Sequence, residues 1–230
     1  MTLKELQDKL KLSDTQVKQL DEYANFLIEY NEKINLTAIT NYEDIIEKHF
    51  YDSLLLTTHK DIKGTFVDVG SGAGFPGVVV KIYKPELKVI LIEPIKKRCV
   101  FLNELIDKLG LKDIEVINER AEDYTKDHRE LYDYVTARAV SNLNALIEVC
   151  GALVKLNGYF IALRGKEGIN EIVNAKKAIK TMGFIEEERF VDELSDNSTR
   201  VTAYLKKQER TAKKFPRKYS IIKSNPLWVK

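Results

Sequence analysis

The stretch "VDVGSGAGFPG", residues 67–77, constrains this chain more than any other. It places four glycines within eight positions, directly behind the apolar run "TFVDV". A glycine-rich turn that leaves a short buried strand and enters a helix is a feature of open α/β sheets, which bind ligands at their strand carboxyl ends. Pro76 suits the first turn of the helix that follows. The same alternation then repeats. "LKVILIEP" (87–94), "IEVINE" (114–119), "YDYVTARAV" (132–140) and "GYFIALRG" (158–165) read as strands. Helices are predicted over 95–110, closed by Gly110, over 142–155, and over 167–182, ending at Gly183. "EERFVDEL" and "RVTAYLKK" follow with only a turn between them, so they should pair as an antiparallel hairpin. The expected fold class is α/β: a mostly parallel, Rossmann-like, seven-stranded sheet with a C-terminal antiparallel hairpin.

The first 63 residues lack this alternation. Val17, Leu20, Ala24, Leu27, Ile28 and Ile34 share one face of a predicted helix over 13–34, with Ser13 and Gln16 as its capping box. A second helix is predicted from Thr40, capped with Glu43, with Ile45, Ile46, Phe50 and Leu54 as its apolar stripe. A helical extension of this size must pack on the α/β part. The expected organisation is 1–63 as that extension, 64–207 as the main domain and 208–230 as a basic tail, all one structural unit.

Three ligand readings compete at the glycine turn. Gly72, Gly74 and Gly77 fit the G-x-G-x-x-G dinucleotide pattern, which alone is weak. Asp68 stands two residues before the first glycine and would repel a pyrophosphate. S-adenosylmethionine has no phosphate and carries a positive sulfonium, so a nearby carboxylate is favourable. Gly70, Gly72 and Gly74 then make its D-x-G-x-G-x-G loop. Glu93 ends the second strand, close to the spacing of about 20 residues expected for a ribose-binding acid. Ala121 and Glu122 stand after the third strand, placed to meet the adenine. A turn that binds nothing accounts poorly for acids at three successive strand ends. The reading is a class I S-adenosylmethionine-dependent methyltransferase.

The methyl acceptor is narrowed by what is missing. The fourth strand ends in "TARAVSN", without the Pro-Pro-aromatic loop of exocyclic amine methylation. Cys99 and Cys150 fall in helix patterns, where a small buried apolar role outweighs that of a nucleophile. An acceptor that is already nucleophilic, such as guanine N7, needs no general base. Arg138 ends the fourth strand and could donate to guanine O6 or a phosphate; its alternative is an ion pair with Glu122 or Asp133. Arg164 and Lys166 end the fifth strand, either facing the same substrate or as exposed loop charge.

Together these segments resemble a known family, the bacterial small-subunit ribosomal RNA guanine-N7 methyltransferases (RsmG, or glucose-inhibited division protein B). The resemblance is carried by "YNEKINLTAIT", "KHFYDSLLL", "FVDVGSGAGFPG", "KKRCVFLNEL", "RAED", "ARAVSNLNALIEV" and "LRGKEGINEI". It implies methylation of a guanine in the decoding region of 16S rRNA. It implies a cofactor site at Gly70, Phe75, Ala121, Glu122 and Arg138, with Glu93 near the ribose. The C-terminal "KKFPRKYSIIKSNPLW" is similar to the family's basic ending, but "YSIIKSNP" replaces its usual Gly/Thr/Pro stretch.

Charge distribution fits such a substrate. Residues 200–230 hold 10 basic residues and 1 acidic one, while the rest of the chain is net acidic. A polyanion suits that segment, as does a plain solubilising role. Arg200, Arg217 and Lys218 are therefore candidate RNA contacts. In the N-terminal region Lys48, His49 and Asp52 could line the RNA cleft, or His49 could be a satisfied structural histidine. Asn35 and Thr37 could brace the junction. No metal spacing, signal peptide or membrane-length apolar run is present. A cytosolic monomer acting on 16S rRNA or the small ribosomal subunit is expected. An NAD(P)-dependent oxidoreductase, a small-molecule methyltransferase and a non-catalytic RNA-binding protein are the competing readings.

Overall fold

The computed structural model describes residues 1–138 and 142–227. The predicted end of the fourth strand at 139–140 lies outside them. The elements in chain order are α1 (Leu3–Leu10), α2 (Asp14–Asn31), α3 (Tyr42–Ile45), a π-helical segment (Ile46–Tyr51), α4 (Asp52–Thr58), β1 (Thr65–Val69), α5 (Gly77–Tyr83), β2 (Lys88–Ile92), α6 (Lys96–Leu109), β3 (Ile114–Ile117), α7 (Ala121–Tyr124), β4 (Tyr132–Arg138), α8 (Leu143–Gly151), β5 (Val154–Arg164), α9 (Gly168–Asn174), α10 (Lys176–Thr181), β6 (Phe184–Glu193), β7 (Thr199–Lys207) and α11 (Tyr219–Ser224).

Among the described residues, seven strands form one sheet in the order β3-β2-β1-β4-β5-β7-β6. The pairs from β3 to β5 are parallel. β7 enters antiparallel between β5 and β6, so the hairpin closes one end of the sheet. The order of winding reverses between the parallel neighbours β1 and β4, the switch point where open sheets form a crevice. No helix among the described residues is long and apolar enough to cross a membrane.

One face of the sheet is covered by α5, α6 and the N-terminal helices, which share a single apolar core containing Leu20, Tyr23, Phe50, Phe75, Phe101 and Tyr204. Gln16 shows how α2 is fixed there. Its side chain completes the Ser13 capping box and also donates to the carbonyls of Ile82 and Tyr83, at 3.0 Å each. These carbonyls lie at the end of α5, where backbone acceptors lack helical partners.

The other face is covered by α8 and α10, with the C-terminal segment outside them. All nine residues of α8 are buried, because the chain beyond β7 runs back across it. That basic segment packs on the core through specific ion pairs and hydrogen bonds. Arg217 donates from Nε to Glu148 Oε1 at 2.7 Å and from Nη2 to Oε2 at 2.6 Å, and Glu148 is fully buried. Arg129 donates to the carbonyls of Thr211 and Phe215, and Ile222 is fully buried.

Other differences from the expected elements are local. α1, with its own Thr2–Glu5 capping box, was not foreseen. Asn41, not Thr40, caps α3 by accepting from Asp44 N at 3.1 Å. The helix expected over 142–155 ends at Gly151, because β5 starts at Val154 and reaches its main register through an irregularity before Tyr159. The helix expected over 167–182 divides at Ala175.

Replacing Arg217 by alanine leaves the Glu148 carboxylate buried without its cation. The expected cost is about 3–5 kcal/mol in urea unfolding, with incomplete recovery in Arg217→Lys because lysine lacks the planar fork.

Candidate functional site

The glycine turn is held from three sides. From beneath, Asp68 Oδ2 accepts from Gly77 N at 2.9 Å. A Cβ on Gly77 would meet Leu91 Cδ2 at 2.4 Å and Asp68 Oδ2 at 2.9 Å, so only glycine lets the backbone sit this close. From β2, Glu93 accepts from Gly72 N at 2.9 Å and from Ile95 N at 2.8 Å. From the helical extension, the Tyr23 hydroxyl donates to the carbonyl of Ala73. Gly74 has φ +96°, and a Cβ there would lie 2.6 Å from that hydroxyl.

Asp68 therefore does not face open space. It is completely buried, and it lines neither cavity described below. Burial pushes its pKa up to about 7, opposed by the Gly77 N–H and the Arg138 charge. Its Oδ1 has no hydrogen-bond partner among the described residues. Glu93 is likewise buried, with both oxygens engaged. Both acids shape the turn from inside.

Phe75 also turns inward, toward the helical extension. It stacks on His49 at 4.3 Å between ring centroids and on Tyr23 at 5.5 Å. The Arg138 guanidinium lies over the ring, 5.0 Å from its centroid. Arg138 pairs with neither Glu122 nor Asp133. Its Nη1 is 3.5 Å from Asp52 Oδ2, and its Nη2 donates to His49 Nδ1 at 3.1 Å. Asp52 Oδ1 also accepts from Arg200 Nε at 3.0 Å.

These contacts fix the state of His49. Arginine is only a donor, so His49 Nδ1 must be the unprotonated acceptor. Its Nε2 then carries the hydrogen and donates to Thr37 Oγ1 at 2.8 Å. Burial and the adjacent Arg138 charge lower its pKa from 6.5 to about 3. His49 is thus a neutral spacer that orients Arg138. Thr37 holds His49 from within the helical extension.

Two cavities open at the carboxyl edge of the sheet. The smaller, about 140 Å³, is lined by Gly70, Ala121 and Glu122 together with apolar residues and Tyr219. Whole small-molecule sites run to roughly 300–1,000 Å³, so this one matches a single moiety. The larger, about 860 Å³, is lined by Lys48, His49, Arg138, Arg164 and Arg200 among others. Its cations are partnered: Lys48 with Asp44 and Asp196, Arg164 with Glu171, Arg200 with Asp52. Lys166 and Lys218 are exposed and line neither cavity, and Arg217 is committed to Glu148. Asn144, a residue sequence reasoning missed, is 2% exposed on the wall of the large cavity, with its Oδ1 unpartnered among the described residues. Its only sequence signal was a polar residue inside an apolar helix. Cys99 and Cys150 are buried, and burial raises both thiol pKa values, as suits inert packing residues.

The depressed pKa of His49 gives a pH signature. The unfolded chain binds the extra proton below pH 6.5, whereas the folded chain resists it down to about pH 3. Stability from this group is therefore complete above 6.5 and falls with pH across that window, by at most about 1.4 kcal/mol per pH unit. Urea unfolding from pH 7 to pH 4 should show a shallower loss in His49→Gln than in the unaltered chain.

Residues 16–202 match the family model GidB, described as rRNA small subunit methyltransferase G. The chain is 42% identical over 222 residues to "Ribosomal RNA small subunit methyltransferase G" of Staphylococcus epidermidis, covering 95% of this chain and 93% of that protein. It is 44% identical over 223 residues to the protein of the same name from Bacillus licheniformis, covering 95% and 93%. Among solved structures it resembles a SAM dependent methyltransferase from Aquifex aeolicus, with TM-score 0.55 and 18% identity over 77% of this chain and 98% of that one. M. jannaschii TYW2 in complex with AdoMet gives TM-score 0.52 and 14% identity over 68% and 76%. The structural likenesses speak for the fold, and the sequence matches span nearly the whole chain: it belongs to the rRNA small subunit methyltransferase G (GidB) family.

Proposed function

We propose that this chain transfers the methyl group of S-adenosylmethionine to N7 of a guanine in the decoding region of small-subunit (16S) rRNA. The observation that carries the reading is the pair of cavities flanking the first turn of α8. Ala145 and Leu146 line the smaller one, and Leu143 and Asn144 line the larger. The base of a nucleoside donor fits the first, beside the Gly70 backbone, apolar walls and the Glu122 carboxylate. A flat base with phosphates around it fits the second, where cations and the Asn144 acceptor gather.

The cofactor supplies an electrophilic methyl on a positive sulfonium. The chain's task is to hold the acceptor lone pair about 3–3.5 Å from that carbon and in line with it. Guanine N7 carries no proton, so no base is required of the protein. The positive charge passes from the sulfonium to the purine, and S-adenosylhomocysteine leaves neutral at sulfur. Arg138, held by His49 and Asp52 against Phe75, orients the guanine through O6 or an adjacent phosphate. Lys48, His49, Arg164 and Arg200 border the same space.

The organisation read from the sequence belongs to this proposal. Helices of 1–63 brace the loop, 64–207 carry the chemistry, and 208–230 pack back on that core. The unit acts as a cytoplasmic monomer.

Mass-spectrometric mapping of 16S rRNA from cells lacking this chain should show one guanine without its N7 methyl. Restoring the gene should return it, while Arg138→Ala should lower methyl incorporation at least ~100-fold in a purified assay. An unchanged methylation pattern would sink the proposal, as would tight binding of NAD in place of S-adenosylmethionine.

A further inference from the structure

We propose that the C-terminal segment is part of the cofactor site, with Tyr219 forming the outer wall of the adenosine pocket beside Arg120. The inference rests on the methyltransferase reading above and extends it beyond residue 202, where the family match ends.

Three residues expected at the cofactor, Gly70, Ala121 and Glu122, line the small cavity. Tyr219 lines it too, although it lies about a hundred residues further along the chain. Its ring is half-buried, and the Arg120 guanidinium sits 5.9 Å from the ring centroid. Arg120 Nη1 is also 3.9 Å from Glu122 Oε1, so one cation connects the ring and the carboxylate.

The ring's position is well anchored. Two residues before it, Arg217 holds the buried Glu148 of α8 with both a backbone and a forked side-chain donation. Three residues after it, Ile222 is completely buried in the core that α8 helps to form. Further back, Arg129 grips the carbonyl of Phe215 at 2.6 Å. These contacts are far stronger than a solvated tail needs. They fix an aromatic ring in the wall of the cavity that Val69 and Ile92 also line, where a purine would meet it. Base–aromatic stacking tolerates any purine, while the Glu122 carboxylate supplies the polar preference. Of the segment's basic residues, Arg210 and Arg217 are paired with Glu130 and Glu148.

The test is calorimetric titration of S-adenosylhomocysteine into the full chain and two variants. Tyr219→Ala should weaken binding about tenfold, and Tyr219→Phe should stay within about twofold, because the ring face and not the hydroxyl makes the wall. Unfolding midpoints without ligand should agree among the three. In the unaltered chain the same ligand should slow amide hydrogen exchange over residues 219–222, by reciprocity of the coupling. Equal or tighter binding by Tyr219→Ala would overturn the assignment and mark the ring as a plug. So would exchange rates in 219–222 that ignore the ligand, a result that does not depend on any variant folding. Failure of the unaltered chain to bind S-adenosylhomocysteine would overturn the methyltransferase reading itself.

Discussion

Phe75 lies where the glycine turn, the helical extension and the end of β4 meet. It belongs to the glycine turn, yet it is buried against Tyr23 from α2 and His49 from the π-helical segment, with Arg138 from β4 over its ring. Removing the helical extension would expose this ring and free the Ala73 carbonyl that Tyr23 holds. The extension is thus a mould for the loop. Ring contacts of this kind add about 0.5–1.5 kcal/mol each beyond area burial. Their larger effect is geometric, since the loop's backbone cannot shift without disturbing Arg138.

The loop's acids work in the same direction. A carboxylate buried like Asp68 is costly in its charged form, which is why its pKa rises toward neutrality. Glu93 avoids isolation by accepting two backbone N–H groups. Both keep the turn open in shape before any ligand arrives, and preorganised backbone costs less to order on binding.

The sheet was legible because its signal is local. Apolar runs such as "KVILI" and "TFVDV", each followed by a helix pattern, can be satisfied only by a parallel sheet. Gly70, Ala121 and Glu122 were legible for the same reason: strand ends converge on one edge. The partners of Arg138 were not legible, because Asp52 is 86 residues away and is brought there by the packing of α4 against the sheet. The inward orientation of Asp68 and Phe75 was missed because residue type alone does not say which side of a turn a side chain takes. The tail was misread for a related reason. Its charge is obvious in sequence, whereas the buried carboxylate that neutralises Arg217 is hidden inside the apolar helix "LNALIEVCG".

The buried helix α8 has a consequence for order of events. Its first turn is a shared wall, with Leu143 and Asn144 on one cavity and Ala145 and Leu146 on the other. Any displacement of that turn by a molecule on one side reshapes the room on the other. Where an occupant does displace that turn, the two occupancies would be thermodynamically linked, each altering the other's affinity by the same factor. With Arg217 gripping Glu148 one helical turn further along, the far C-terminal residues are in a position to set the stiffness of that shared wall.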